Sequence, residues 1–294
     1  MFNTIDDYLD ALKDEMKNAD VALIQDAQAD AREHLSTALA ALHEKNPDAN
    51  ESDLLAKIVE EYGTPEETAS AYREVEKRTS PVLKQTVAPR SWLGKFFGVY
   101  VDPRAWGALL FMLIAFVTGI IYFVWGVTGL SLSISLLILI IGIPFAILFL
   151  LSVRGLALLE GRLVEALLGI RMPRRASFSH EGMKWLDRLK ALLTDKATWL
   201  MLVYMLIQFV LGTVYFTVIV TVLSISLALI AAPFVQSFVN VGVINIGDAR
   251  YFVPMWSSPI FVLVGLLLWT SFMHIARGVG QAHGKLAKWL LVSE

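Results

Sequence analysis

Residues 112–123 read MLIAFVTGIIYF and residues 205–216 read MLIQFVLGTVYF, with eight of the twelve positions identical. Aligning Asp102–Ile134 with Asp195–Leu227, an offset of 93, gives 16 identities in 33 positions. Asp102 and Asp195 open the two stretches, Trp106 and Trp199 follow four residues on, and Gly119 and Gly212 are equivalent. A bias toward leucine would not set Asp-x-x-x-Trp and Gly-x-x-Tyr-Phe in register twice. Downstream, Arg154–Leu163 (RGLALLEGRL) matches Arg277–Leu286 (RGVGQAHGKL) at Arg-Gly, Gly and Leu, now at an offset of 123. The reading is an internal duplication whose second copy holds 30 more residues between its matched ends.

The duplicated part is too apolar for a soluble domain. Over the whole chain 56% of residues are hydrophobic and 18% charged. Residues 105–153, 197–247 and 251–273 contain no Asp, Glu, Lys, Arg or His. About 20 apolar residues in a helix cross a hydrocarbon core of about 30 Å. Leu109–Val124 alone carries eleven Leu, Ile, Phe or Val residues. At about −0.3 to −0.6 kcal/mol each, they favour insertion by about 3 to 7 kcal/mol.

Duplication also constrains topology. Arg154 and Arg277 are equivalent, so they belong on one side of the membrane, and each copy crosses an even number of times. The first copy fits two helices, about 106–128 and 131–153, joined by a tight TGLS turn. The second offers apolar segments at about 199–222, 223–239 and 259–276. Four spans result if 223–239 enters partway or lies at the interface, as Pro233 suggests by limiting a straight continuation. Of the 17 basic residues after position 80, 16 then share a side and only Arg250 lies opposite. The positive-inside rule makes that side, with both termini, cytoplasmic.

The first 80 residues differ in kind. They hold 19 acids and 8 bases, whereas residues 81–294 hold 8 acids and 17 bases. Ile5, Tyr8, Leu9, Leu12 and Met16 recur at helical spacing. A second amphipathic stretch runs from about Val21 to Glu44, and NPDAN makes a turn. Gly63 then stops a third helix, and Thr64, Pro65 and Glu67 start a fourth with a capping box. The expected fold is all-α: an acidic N-terminal helical domain plus a polytopic membrane domain of two parallel repeats. The boundaries are 1–80, a linker at 81–94, repeat one at 95–193 and repeat two at 194–294. Repeat two includes an extracytoplasmic loop at about 236–258 and a C-terminal amphipathic helix.

Two resemblances attach to these stretches. YLDAL, an acidic helix and then VEEYGTPEETASAYREV resemble the HAAS-type cytosolic signalling domain, with Gly63, Pro65, Glu66, Glu67, Ala69 and Tyr72 on its pattern. That family is associated with bacterial signalling and PadR-type regulators, and no catalytic residue belongs to the motif. DPRAW, VTGLSLSISLLILIIGIPF, RGLALLEGRLVEALLG, DKATW and ARGVGQAHGKLAKWLL resemble the "putative sensor" domain of bacterial sensor kinases. No phosphoacceptor-histidine helix or ATP-binding region accompanies them here, so that resemblance implies no kinase activity.

Catalytic signatures are absent from the sequence. There is no cysteine. His34, His43, His180, His274 and His283 show no metal-ligand spacing, and no Walker A, Rossmann or G-x-S-x-G pattern occurs. The chain is expected to be non-enzymatic, without cofactor or metal. Gly119 and Gly212 are read as helix-packing positions between the repeats, with Gln208 as an interhelical hydrogen-bonding residue. Tyr122, Tyr215, Arg250 and Trp256 are candidates for the outer interface or an outward cleft. KWLDRLKALL and GKLAKWLL place Lys184, Arg188, Lys190, Lys285 and Lys288 on basic amphipathic helices. These bases would anchor the helices to headgroups or dock the acidic head.

The expected function is a membrane sensor that passes an envelope or lipid-phase cue to a signalling partner. The expected partners are the bilayer and a protein: a PadR-type regulator, a sensor kinase or an ABC-type transporter. A homo-oligomer is a further option, and direct nucleic-acid binding is not expected because the detached domain is acidic. The competing class is a transporter, or an accessory subunit of a lipid or small-molecule exporter.

Overall fold

The computed structural model describes residues 2–47, 49–79, 91–136, 138, 142–174, 185–239, 244–246, 249–252 and 254–292. Four helices form the head: α1 (Ile5–Glu15), α2 (Val21–Lys45), α3 (Glu51–Tyr62) and α4 (Pro65–Thr79). After a short α5 (Trp92–Phe97) come α6 (Pro103–Leu136), α7 (Gly142–Leu168), α8 (Trp185–Thr194) and α9 (Lys196–Val239). Strands β1 (Ile244–Ile246) and β2 (Ala249–Tyr251) pair antiparallel before α10 (Ser258–Leu291). The chain clusters into two compact units. One joins Met1–Lys84, Trp125–Tyr204 and Gly284–Glu294; the other joins Gln85–Val124 and Met205–His283.

The head closes around one apolar core. Tyr8, Leu12, Met16, Leu35 and Leu55 are fully buried, and Leu9, Leu23 and Ile58 nearly so. Gly63 adopts φ +111°, a conformation that L side chains rarely take, and ends α3. Its carbonyl accepts a hydrogen bond from the Tyr8 hydroxyl at 2.9 Å, tying α1 to the α3–α4 turn. Burial pushes the Tyr8 phenol pKa up. The Glu67 carboxylate accepts from Thr64 N at 2.9 Å, while Glu67 N donates to Thr64 Oγ1 at 3.3 Å. These bonds from Thr64 hold the Glu67 carboxyl below its ordinary pKa.

Among the described residues four helices are long and apolar enough to cross a membrane, and they are α6, α7, α9 and α10. Two expectations about their limits are corrected. Helix α6 runs unbroken through Thr128–Ser131, where a turn was expected. Gly129 serves packing there: a Cβ at that position would overlap the Phe149 ring of α7. Helix α9 is one helix of 44 residues through Pro233, about 66 Å long, so residues 223–239 are no separate segment. Membrane helices tolerate proline where nearby hydroxyls bond the disturbed backbone. The carbonyl that Pro233 deprives is that of Leu229; Ser237 Oγ donates to the Pro233 carbonyl, one turn further on, at 2.8 Å. The loop after α9 carries the β1–β2 hairpin, which the sequence pattern did not indicate.

Within the second unit, the contacts of α6 and α9 come in pairs that the 93-residue offset interchanges. A Cβ at Gly119 would stand 2.7 Å from the Gln208 carbonyl oxygen and 2.9 Å from Phe209 Cα. A Cβ at Gly212 would overlap the Ala115 carbonyl oxygen and stand 2.9 Å from Phe116 Cα. Phe116 stacks on Phe216 with centroids 4.3 Å apart, and Phe123 stacks on Phe209 at 4.6 Å. The backbones meet with no room for a side chain, so helix approach depends on both glycines.

Gly119→Leu and Gly212→Leu should each destabilise the folded chain by about 2 kcal/mol or more, because the clash is with backbone that cannot rotate away. Leu at the neighbouring Thr118 or Thr213 should cost less. Expression and thermal unfolding in detergent would check this; equal behaviour of all four variants would remove the packing role.

Candidate functional site

Helix α7 stops where Gly169 turns to φ +69°, its N–H still donating to the Glu165 carbonyl at 3.1 Å. Residues 170–174 then continue as a short arm without regular structure. Met172 is fully buried against Gly161, where an added Cβ would stand 3.4 Å from Met172 Cβ. Ile170 fills the space over Gly284 of α10, which a Cβ would contest. Held on both sides, the arm presents Arg171 and Arg174 to the head.

The head answers with Asp26, which lies on α2 among Ala22, Leu23 and Ala27 and is buried like them. Arg171 Nη2 donates to Asp26 Oδ2 at 2.9 Å, and the Arg174 backbone N–H donates to Asp26 Oδ1 at 2.6 Å. Both carboxylate oxygens are therefore occupied by the arm. Arg171 Nη1 and Arg174 Nη2 also donate to Glu165 Oε1, at 3.2 and 2.8 Å. Glu76 of α4 places Oε2 3.5 Å from Arg171 Nε. The Glu165 carboxylate, accepting from Arg174, pushes that guanidinium's pKa up. A second link comes from the far end of the chain: Lys288 Nζ donates to Asp20 at 2.6 and 2.5 Å. Asp20 also caps α2 through Ala22 N at 2.9 Å.

Arg171 is 6% exposed and Asp26 is 6% exposed, which decides how the pair behaves. A charge taken that far from water costs several kcal/mol unless it is paired and hydrogen-bonded. Removing one partner therefore costs far more than loss of a surface ion pair, worth about 0–1 kcal/mol. Both partners are needed while the head is docked, whereas release would return both groups to water, so the pair fixes the register of docking more than its strength.

Other buried polar groups sit along the apolar helices, again in counterpart positions. Arg154 of α7 pairs with Asp195 and donates to Thr198 Oγ1, while Arg277 of α10 pairs with Asp102 at 2.9 Å. Each Asp caps the helix that follows it, through Arg104 N and Thr198 N. Tyr204 donates to Glu160 Oε1 at 2.9 Å, and the equivalent positions are Phe111 and His283, whose rings lie 4.8 Å apart. Beside Arg154 is a cavity of about 30 Å³ lined by Gln25, Gly161, Met172, Met201 and Leu291 among others. It has room for about two water molecules. Among the described residues no group of three or more His, Asp or Glu side chains is placed to hold a metal ion.

Gly119, Gly212 and Gln208 come together as described above, with Gln208 fully buried. Tyr122 and Tyr215, candidates for the outer interface or an outward cleft, are 2% and 9% exposed, too buried for an aromatic belt facing lipid. Tyr215 is turned inward because its hydroxyl finds His283 Nδ1 at 3.0 Å, a partner that a lipid-facing position would lack. Trp256 is 76% exposed, as an interfacial residue would be. Arg250 lies in β2, and its side chain falls outside the described residues. Of the docking candidates, Lys288 meets the head, Lys190 and Lys285 are exposed, and the side chains of Lys184 and Arg188 fall outside the described residues. Sequence reasoning missed Asp26, Glu165, Arg171 and Arg174. The available signal was an acid in the apolar stripe of α2.

The "Putative sensor" family model matches residues 111–291, more than half of the chain. The chain belongs to this sensor family. The match takes in α7, α8, α9 and α10 and most of α6, together with the arm that carries Arg171, and leaves the head outside. No curated protein and no solved structure matches the chain. Membership of the sensor family fits a membrane sensor role.

Asp26→Ala should destabilise the docked head by about 2 kcal/mol or more, since it leaves a buried guanidinium with one carboxylate fewer. Asp10→Ala, on an exposed side chain of α1, should stay within about 0.5 kcal/mol. Amide exchange across α2 in the full-length protein would check both.

Proposed function

We propose that this member of the sensor family is a non-enzymatic, four-span protein of a bacterial inner membrane, with both termini in the cytoplasm. Its head is a HAAS-type domain that passes the state of the membrane helices to a signalling partner. The membrane part is a duplicated unit, and the cue is an envelope or lipid-phase property. The observation that carries the reading is the buried Asp26–Arg171 pair, because Arg171 sits three residues beyond Leu168, the last residue of α7. Any displacement of the end of α7 must move the arm, and the head follows or lets go. A cue acts on such a system only by binding two conformations unequally. Docked and released heads are the two states, and release uncovers Asp20, Asp26 and Glu76 for a basic surface on the partner.

Protease cleavage of the 79–92 linker in inside-out vesicles tests this. Reversing Arg171 and Arg174 to Glu should release the head and raise cleavage several-fold. Salt should do less, although the screening length falls from about 10 Å at 0.1 M to about 3 Å at 1 M, because buried pairs are screened little. Cleavage unchanged by the reversal would mean the head is merely tethered. Cleavage in right-side-out vesicles would refute the cytoplasmic placement.

A further inference from the structure

Helices α9 and α10 are pinched together at Gly265. A Cβ there would stand 2.9 Å from the Ser226 carbonyl oxygen and 2.8 Å from Ile230 Cγ1, so the approach requires glycine. Beyond the pinch α9 passes through Pro233, which offers no N–H to the Leu229 carbonyl and crowds it with its ring. Beyond the pinch, a cleft of about 610 Å³ lies between the end of α9 and the start of α10. That volume lies within the range of about 300–1,000 Å³ typical of small-molecule sites.

The lining decides what the cleft accepts. Among the described residues its walls include Phe234, Phe238, Met255, Leu263 and Leu266 and no charged residue, and its polar side chains are the hydroxyls of Ser237 and Ser258. Ser237 is already committed to the Pro233 carbonyl. Nothing in such a lining holds a polar or ionic ligand. The same side chains are exposed, Phe238 at 87%, Met255 at 78% and Leu263 at 55%, so the cleft opens on the apolar surface of two helices able to cross a membrane. What borders that surface in a bilayer is hydrocarbon.

We propose that this cleft is a binding site for one acyl chain of a bilayer lipid. The proposal rests on the membrane-sensor reading and gives its cue a chemical class. A chain seated between Phe234 and Leu263 opposes closure of α9 on α10 beyond the pinch, so occupancy favours the open arrangement of the two helices. Chain length and packing in the bilayer then set occupancy.

The test uses the full-length protein in phosphatidylethanolamine–phosphatidylglycerol liposomes containing a phospholipid with a photoactivatable diazirine in its acyl chain. Mass spectrometry, with labelling normalised to side-chain exposure, should place adducts on residues 233–238 and 255–266 at about fivefold or more over Leu206, Val210 and Val214, which are 43%, 59% and 50% exposed, a preference of about 1 kcal/mol. Leu263→Trp should lower labelling there several-fold, whereas Val214→Trp should not. If Leu263→Trp fails to insert, Phe238→Trp, at a side chain with open space around it, gives the same reading. Labelling spread evenly over the apolar surface, or unmoved by either tryptophan, would overturn the proposal. Displacement of the adducts by a free fatty acid of the same length at low molar ratio would overturn the assignment to a bilayer lipid. The readout is independent of the linker cleavage that tests the relay, so either idea can fail alone.

Discussion

A guanidinium withdrawn from water as far as that of Arg171 needs carboxylates around it, and the chain supplies them from three places. Asp26 comes from α2, Glu76 from α4 and Glu165 from α7. The head contributes two of the three, so the arm is fully paired only while the head is in place. An exposed ion pair would let the head come and go with little change in energy. A buried one must stay whole while the head is docked, because either group left alone there would be a buried, unpaired charge.

The apolar helices show the same economy of charge. Arg154 and Arg277 each answer an aspartate that caps the start of another helix. The pairs differ in exposure, Arg154 being 9% exposed and Arg277 42% by side chain. The former should respond less to salt than the latter. Glu160 and His283 occupy equivalent positions yet carry opposite acid–base character, each meeting a tyrosine hydroxyl. The matched stretches thus share glycine packing positions and differ in the polar groups that the packing encloses.

Much of this was legible in the residues. The 93-residue offset marked Gly119 and Gly212, and their reciprocal contacts follow from a requirement that only glycine meets. The capping box at Thr64 and the stop at Gly63 were readable because local hydrogen bonds depend on local sequence. Gly129 misled because a glycine that admits a neighbouring ring reads the same as one that turns the chain. Pro233 misled because a soluble helix would break there, whereas a membrane helix has no water to complete a broken end. Tyr122 and Tyr215 resembled a belt because spacing gives depth along a helix and not the direction a side chain faces. The junction was least legible of all: Asp26 and Arg171 are 145 residues apart, and neither stands out until the fold brings them together.

The central claim is that Asp26 and Arg171 act on each other to hold the head, rather than lying close within a head held by other means. A double-mutant cycle with Asp26→Asn, Arg171→Gln and both together measures that directly, read by amide exchange of α2 in the full-length protein in liposomes. The account predicts non-additive protection factors, with a coupling of about 0.5–3 kcal/mol, as for contacting residues. Additivity within about 0.3 kcal/mol would contradict it.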